Sequence, residues 1–309
     1  MAPARYLADF ARFVAQKGDQ EREDAQALSE LECRPLDLPA GLDVRWLGVS
    51  GYAMTYEGQT LLIDPYFSRV PLRAVLRRAP AIPDPALIDR YVGLQANVVG
   101  VLVGHTHFDH AIDAPAIARR FNCRAYGSRS LVNLMQAHGL EARSVEVVPH
   151  RQYELGPFTA SFTPSLHSKL VLGLAVPFDG ELTCDHLDAL TPGAYRCGQV
   201  YGVRVEVAGA SFYHQGSANL IDDAIRDQDR GVDYFLAGVA GRGFTKDYWR
   251  RILTRLEPRT IVPTHYDDFF RPLDAPEMGF ATNVHLSHVP EEVAAVGQDF
   301  GVAALPLLG

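Results

Sequence analysis

Apolar positions first recur with a helical period, at Leu7, Phe10, Phe13 and Val14, and a charged run from Asp19 to Asp24 follows, so residues 1–31 are expected to be helical. The stretch Arg34 to Gly41 breaks the period with prolines and a glycine and reads as a linker. The texture changes at Asp43. Short strands are expected at Val44–Leu47, Ala53–Tyr56 and Thr60–Ile63, the last two joined by a turn at Glu57-Gly58. After an irregular segment, Arg69 to Pro85, the unbroken apolar run Val98–Val103 predicts a strand buried on both faces.

Downstream, helices are expected at Ala114–Phe121, Ser130–Ala137, Ala218–Arg226 and Lys246–Leu256. Strands are expected at Val145–Val148, Phe158–Phe162, Val171–Val176, Gly202–Val207, Ser211–Tyr213, Tyr234–Ala237 and Thr260–Val262. Two successive strand-rich halves, each closed by helices, predict an α/β fold of four layers, an αββα sandwich. Its boundaries are residues 41–309, with residues 1–40 as a helical extension and linker.

Composition narrows the field. With 47% hydrophobic and 21% charged residues in 309, the chain can bury a large core and is globular. A net charge of −8 leaves no basic footprint, which argues against nucleic-acid partners and for a small-molecule substrate. Cys33, Cys123, Cys184 and Cys197 make no CxxC spacing, so neither a zinc ribbon nor a redox pair is expected. The first residues lack the apolar core and cleavage site of a signal peptide, and no apolar run reaches membrane-spanning length, so a cytoplasmic protein is expected. Self-association stays open.

The chemistry is concentrated after the buried strand. Gly104-His105-Thr106-His107-Phe108-Asp109-His110 puts three imidazoles and a carboxylate into six positions. Imidazole and carboxylate suit a borderline divalent ion, zinc first and manganese or iron as alternatives, provided that the side chains converge from a tight turn. In that geometry His105 and His107 serve one position, and Asp109 with His110 serves its neighbour.

That string resembles the signature of the metallo-β-lactamase superfamily, and the landmarks around it follow the same order from about Asp43 to Phe270. Trp46-Leu47-Gly48 and Leu61-Leu62-Ile63-Asp64-Pro65 look like the family's opening hairpin. The resemblance implies that Asp64 supports the metal loop from behind, that His167 completes a first site with His105 and His107, and that His265 completes a second with Asp109 and His110. The nearest look is to the L-ascorbate-6-phosphate lactonase-like and N-acyl-phosphatidylethanolamine phospholipase D-like branches. One departure stands out. Where the family has Gly-Asp, with a carboxylate bridging two metals, this chain has Gly216-Ser217. A hydroxyl is a poor ligand and cannot offset two dications, so a tight first site and a weaker second site are expected.

The resemblance implies hydrolysis of an ester-like bond, a lactone or carboxylic ester or else a phosphodiester, with Asp109 orienting the attacking water. The altered bridge leaves a non-catalytic metal-binding or ligand-sensing protein as the rival reading. Other residues stay double-edged. Tyr266 could donate to an oxyanion or simply pack, and Arg242 could read a substrate anion or sit in a glycine-flanked turn. Strand alternation points His214 away from the face of Gln215 and Ser217. Asp185 and His186 fall in an insertion-like loop, Lys169 to Gly198, while His138, His150, His285 and His288 have no partner pattern. The first helix could also serve as an oligomer or membrane-surface contact.

Overall fold

The computed structural model describes residues 3–170, 173–282 and 284–309, with side chains from residue 17 onward. The stripe of Leu7, Phe10, Phe13 and Val14 therefore lies outside the described side chains.

Two sheets form the centre. The first runs β1 (Asp43–Trp46), β2 (Tyr52–Tyr56), β3 (Gln59–Ile63), β4 (Val98–Leu102), β5 (Ala125–Gly127) and β6 (Ser144–Glu146) in spatial order. It is antiparallel from β1 to β3 and parallel from β3 to β6. The second comprises β7 (Tyr153–Leu155), β8 (Phe158–Ser165), β9 (Val200–Val207), β10 (Ala210–Gln215), β11 (Tyr234–Gly238), β12 (Thr260–Thr264) and β13 (Gly301–Val302). It repeats the pattern: antiparallel from β7 to β10, parallel from β10 to β13.

Alternation assigns each residue a layer. Leu61 and Ile63 of β3, with Tyr52 and Met54 of β2, join the core shared with Phe158, Phe162, Val203 and Val205 of the second sheet. Their neighbours Leu62 and Ala53 point the opposite way, into the core beneath the outer helices of the first sheet. Those helices are α3 (Pro85–Val92), α5 (Ala114–Arg120) and α6 (Arg129–Ala137), with the shorter α2 (Leu72–Arg77) and the single turn α4 (Phe108–Ala111) nearby. Over the second sheet lie α7 (Tyr248–Leu256), which buries Trp249, Ile252, Leu253 and Leu256, and α8 (Val289–Ala294). The expected four-layer sandwich is the observed one.

Three local expectations need correction. Residues 218–226 form no helix beyond a single 3-10 turn at Asp222–Ala224, because Ala218, Leu220 and Ile225 are drawn into the core by an extended path. Of the strand expected at Val171–Val176, residues 171 and 172 lie outside the described residues, and the remainder is turn with one isolated bridge residue. The segment Arg69 to Pro85 is not wholly irregular, since it contains α2.

The first helix, α1 (Pro3–Glu32), docks on the chain's own C-terminal segments. Buried Asp24 accepts hydrogen bonds from the Ser287 amide (2.8 Å) and from Gln20 Nε2 (3.1 Å). Leu31 enters the core and its carbonyl accepts from the Ala304 amide, while Arg34 donates to the Val302 carbonyl. Asp24 and Leu31, seven apart, share one helix face, so among the described side chains of α1 this face is a packing face.

Removing the Asp24 acceptor leaves the half-buried Ser287 amide without this partner. Asp24→Ala is expected to lower unfolding stability by about 1–3 kcal/mol. The check is a urea melt, with the midpoint falling at unchanged slope; an unshifted midpoint would refute the anchoring role.

Candidate metal centre

Every residue of the site follows the C-terminal end of a strand. Asp64 follows β3, His105 to His110 follow β4, His167 follows β8, Ser217 follows β10 and His265 follows β12. Strand ends in both sheets thus deliver ligands to one edge of the sandwich, the usual place for sites on parallel strands. Asp64 and His265 leave their strands through left-handed backbone, φ 43° and 61°. Such conformations cost energy in non-glycine residues and cluster where a side chain must be aimed against local preference.

Three imidazoles converge as expected: His105, His107 and His167 bring ring nitrogens within 4.8 Å of one another, all buried or nearly so. A second group, Asp109, His110 and His265, meets the same limit. The His105 and His110 rings, 3.8 Å apart, join the two groups.

The hydrogen bonds assign the faces of each ring. His107 Nε2 donates to the Pro177 carbonyl (2.8 Å), which leaves Nδ1 as a bare lone pair 3.1 Å from His105 Nε2. His167 Nδ1 donates to the Ser168 carbonyl (2.7 Å), freeing Nε2. His110 Nδ1 donates to Asp64 Oδ2 (2.8 Å), so its Nε2 faces Asp109 Oδ2 at 3.6 Å, and His265 Nε2 approaches that same oxygen at 3.3 Å.

These residues fit a divalent ion. Two nitrogens each about 2.0–2.1 Å from one tetrahedral zinc lie roughly 3.4 Å apart, close to the His105–His107 separation. Without an ion, the same spacing lets His105 Nε2 donate to His107 Nδ1. Burial, reinforced by the neighbouring imidazoles, also holds His105 far below the ordinary histidine range; burial above all brings His107 to about 4 and His167 to about 3. All three are therefore neutral at pH 7, the form that binds a metal. The second group differs. Burial opposes ionisation of Asp109, yet His110 and His265 hold its carboxyl well below the usual range. Burial likewise opposes charge on His110, and Asp109 and Asp64 overcome it and raise the imidazole.

The support was only partly legible in the sequence. Asp64 does brace the loop, accepting from the Gly104 amide (2.7 Å) with its other oxygen. Gly216 is small for a reason: a Cβ there would lie 2.9 Å from Asp64 Oδ2 and 3.1 Å from His110. The Ser217 hydroxyl accepts from the Ser168 amide (3.0 Å), which ties it to the residue beside His167. A further brace gave no obvious motif. The Val49 carbonyl accepts from the His265 amide (2.7 Å), Trp46 Nε1 (3.0 Å) and the Thr264 hydroxyl, while the Val49 amide donates to Asp267, which pairs with buried Arg69 at 2.9 Å. Its sequence signal is Gly48 (φ 85°), where a Cβ would meet Arg69 at 1.9 Å.

For two residues left open between a substrate contact and a structural role, the structure shows the structural partners. The Arg242 guanidinium is committed internally, to Glu292 and to the Val284 and His285 carbonyls, because its loop must be tied to the C-terminal segment. Tyr266 is fully buried against Trp46, ring centroids 4.7 Å apart, and lines no part of the cavity at the site. His214 belongs to none of the candidate ligand groups among the described residues; its Nε2 meets the Ser50 carbonyl at 2.8 Å. Asp185 and His186 are exposed and pair with each other, 2.7 Å apart.

A cavity of about 510 Å³ opens onto His107, Asp109, His167, Ser217 and His265. A bound ion there would face a space fit for a small molecule.

Comparison with known proteins agrees with this geometry. The family profile described as Beta-lactamase superfamily domain matches residues 43–265. A protein named UPF0173 metal-dependent hydrolase, from Anaeromyxobacter sp. (strain K), is 27% identical over 236 residues, covering 74% of this chain and 75% of its own. Igni18, a metallo hydrolase from Ignicoccus hospitalis, superposes with a TM-score of 0.52 at 18% identity, over 85% of this chain and 94% of its own. CmlA, a diiron beta-hydroxylase from Streptomyces venezuelae, gives 0.55 at 14% identity, over 88% of this chain and 54% of its own. Both structural likenesses speak to the fold alone.

The depressed histidines make a pH prediction for the metal-free protein. An unfolded histidine titrates near 6.5, so below that pH the unfolded chain binds protons that folded His107 and His167 refuse. Stability should fall as pH falls from about 6.5 to 4, by up to about 1.4 kcal/mol per pH unit for each such histidine; the raised His110 acts above this window, its contribution being complete below about 6.5. Urea melts of chelator-treated protein across that range test this. A slope unchanged in a His107→Asn, His167→Asn double variant would reject it.

Proposed function

Because the chain belongs to the metallo-β-lactamase superfamily, we propose that it is a metal-dependent hydrolase acting on an ester-like bond of a small molecule, a carboxylic ester or lactone or else a phosphodiester. The observation that carries this reading is the trio of buried, neutral imidazoles whose remaining nitrogens face one another beside a cavity. His105 Nε2, His107 Nδ1 and His167 Nε2 would hold the first ion, and Asp109, His110 and His265 a second. A divalent ion in such a site lowers the pKa of its water from about 15.7 towards 7 and polarises a carbonyl or phosphoryl oxygen.

The chain's own groups do the rest. Asp109, ionised and exposed to the cavity, accepts a hydrogen bond from the attacking water and orients it. Asp64 holds His110 in the tautomer that presents Nε2, the Ser168 carbonyl does the same for His167, and the Pro177 carbonyl holds His107 in the tautomer that presents Nδ1. Phenylalanines give the cavity an apolar wall.

Ser217 sets the stoichiometry. Its hydroxyl is engaged by the Ser168 amide, so it offers the second site no charge. Purified protein is expected to retain about one ion per chain after dialysis and to release a second readily. Elemental analysis for zinc, iron and manganese measures it; two ions retained firmly would reject the asymmetry, and Ser217→Asp should raise occupancy.

Turnover of 4-nitrophenyl butyrate and of bis(4-nitrophenyl) phosphate tests the activity and ranks the two bond types. Chelation and His107→Ala should each reduce it at least 100-fold. Full turnover by a variant shown to lack metal would overturn the assignment.

A further inference from the structure

Part of the cavity wall comes from outside the stretch matched by the family profile. Phe269, Phe270, Phe280 and Val284 follow residue 265, and Lys17 precedes residue 43. The apolar wall is continuous: the Phe269 and Phe270 rings lie 4.2 Å apart, Phe269 stands edge-on to His265 at 5.7 Å, and Phe178 and Phe244 face the same space.

Against this wall, Lys17 is the only lysine or arginine among the described lining residues. Its placement follows from helix geometry. Lys17 lies seven residues before Asp24, on the face of α1 that Asp24 and Leu31 anchor, so the docked helix carries its ammonium to the cavity. Its one ion pair, with Glu21 at 3.6 Å, is solvent-exposed on both sides (53% and 37%) and weakly held. The nearby carboxylate of Asp268 is engaged by Arg271 at 3.2 Å and by the Phe270 amide. A ligand anion would meet Lys17 with little local competition.

We propose that this site takes an amphiphilic anion, a molecule whose apolar chain or ring packs on the phenylalanine wall while its carboxylate, sulfonate or phosphate is received by Lys17. The inference rests on the cavity being the substrate site of a hydrolase, and a binding test separates the two readings. The probes are 1-anilinonaphthalene-8-sulfonate and its uncharged counterpart N-phenyl-1-naphthylamine, titrated by fluorescence into chelator-treated protein, so that no metal competes for the sulfonate.

Wild-type protein should bind one equivalent of each probe. Lys17→Gln should weaken the sulfonate about three- to fivefold at low salt and leave the neutral probe unchanged, and added salt should erase the difference. Phe269→Ala should weaken both probes several-fold. The proposal is overturned if the sulfonate binds Lys17→Gln as it binds the wild type, or if both probes ignore both substitutions and therefore bind elsewhere.

With metal restored, 4-nitrophenyl hexanoate and the 4-nitrophenyl monoester of adipic acid compare substrates directly. The wild type should prefer the adipate and Lys17→Gln should lose that preference. Probe binding as described without turnover of any ester would sink the hydrolase reading and leave the ligand class standing.

Discussion

A buried imidazole has two ring nitrogens, and only one can face an ion, so the protein must satisfy the other. Here that requirement is met at three of the histidines. His107 and His167 donate to backbone carbonyls and His110 donates to Asp64. Each of these partners sits on a strand end or a loop leaving one, and the His107–Pro177 bond ties a loop of the first sheet to one of the second.

The same logic explains the charges beneath the site. Asp64 spreads its two oxygens between the Gly104 amide and His110, and Asp267 divides its own between the Val49 amide and Arg69. A buried carboxylate is tolerated only when its lone pairs are taken, and in both cases the donors belong to the loops that aim the ligands. Ser217 fits this pattern as a neutral residue: it hydrogen-bonds the backbone beside His167 and adds no charge between the two ligand groups.

The sequence carried the fold where its signals were local. Alternation in Leu61-Leu62-Ile63 marks a strand buried on two faces, and the apolar run at Val98–Val103 marks β4. The ligand string was legible because imidazoles rarely crowd, and His167 and His265 because they follow strands in the family's order. What failed was tertiary. Ala218 to Arg226 has helical composition but is pulled open by core contacts, and Tyr266 and Arg242 look like site residues until their partners, Trp46 and Glu292, are known. The Val49 brace joins residues more than 200 positions apart through a main-chain carbonyl, which leaves no imprint on side-chain pattern.

The interlock of the two chain ends bears on how such a protein can change over generations. The ligands hang on strand ends locked by backbone hydrogen bonds, whereas part of the cavity wall is built from segments that lie before and after that framework. Sequence drift at the extremities would then retune which molecules are admitted while leaving the reactive centre intact.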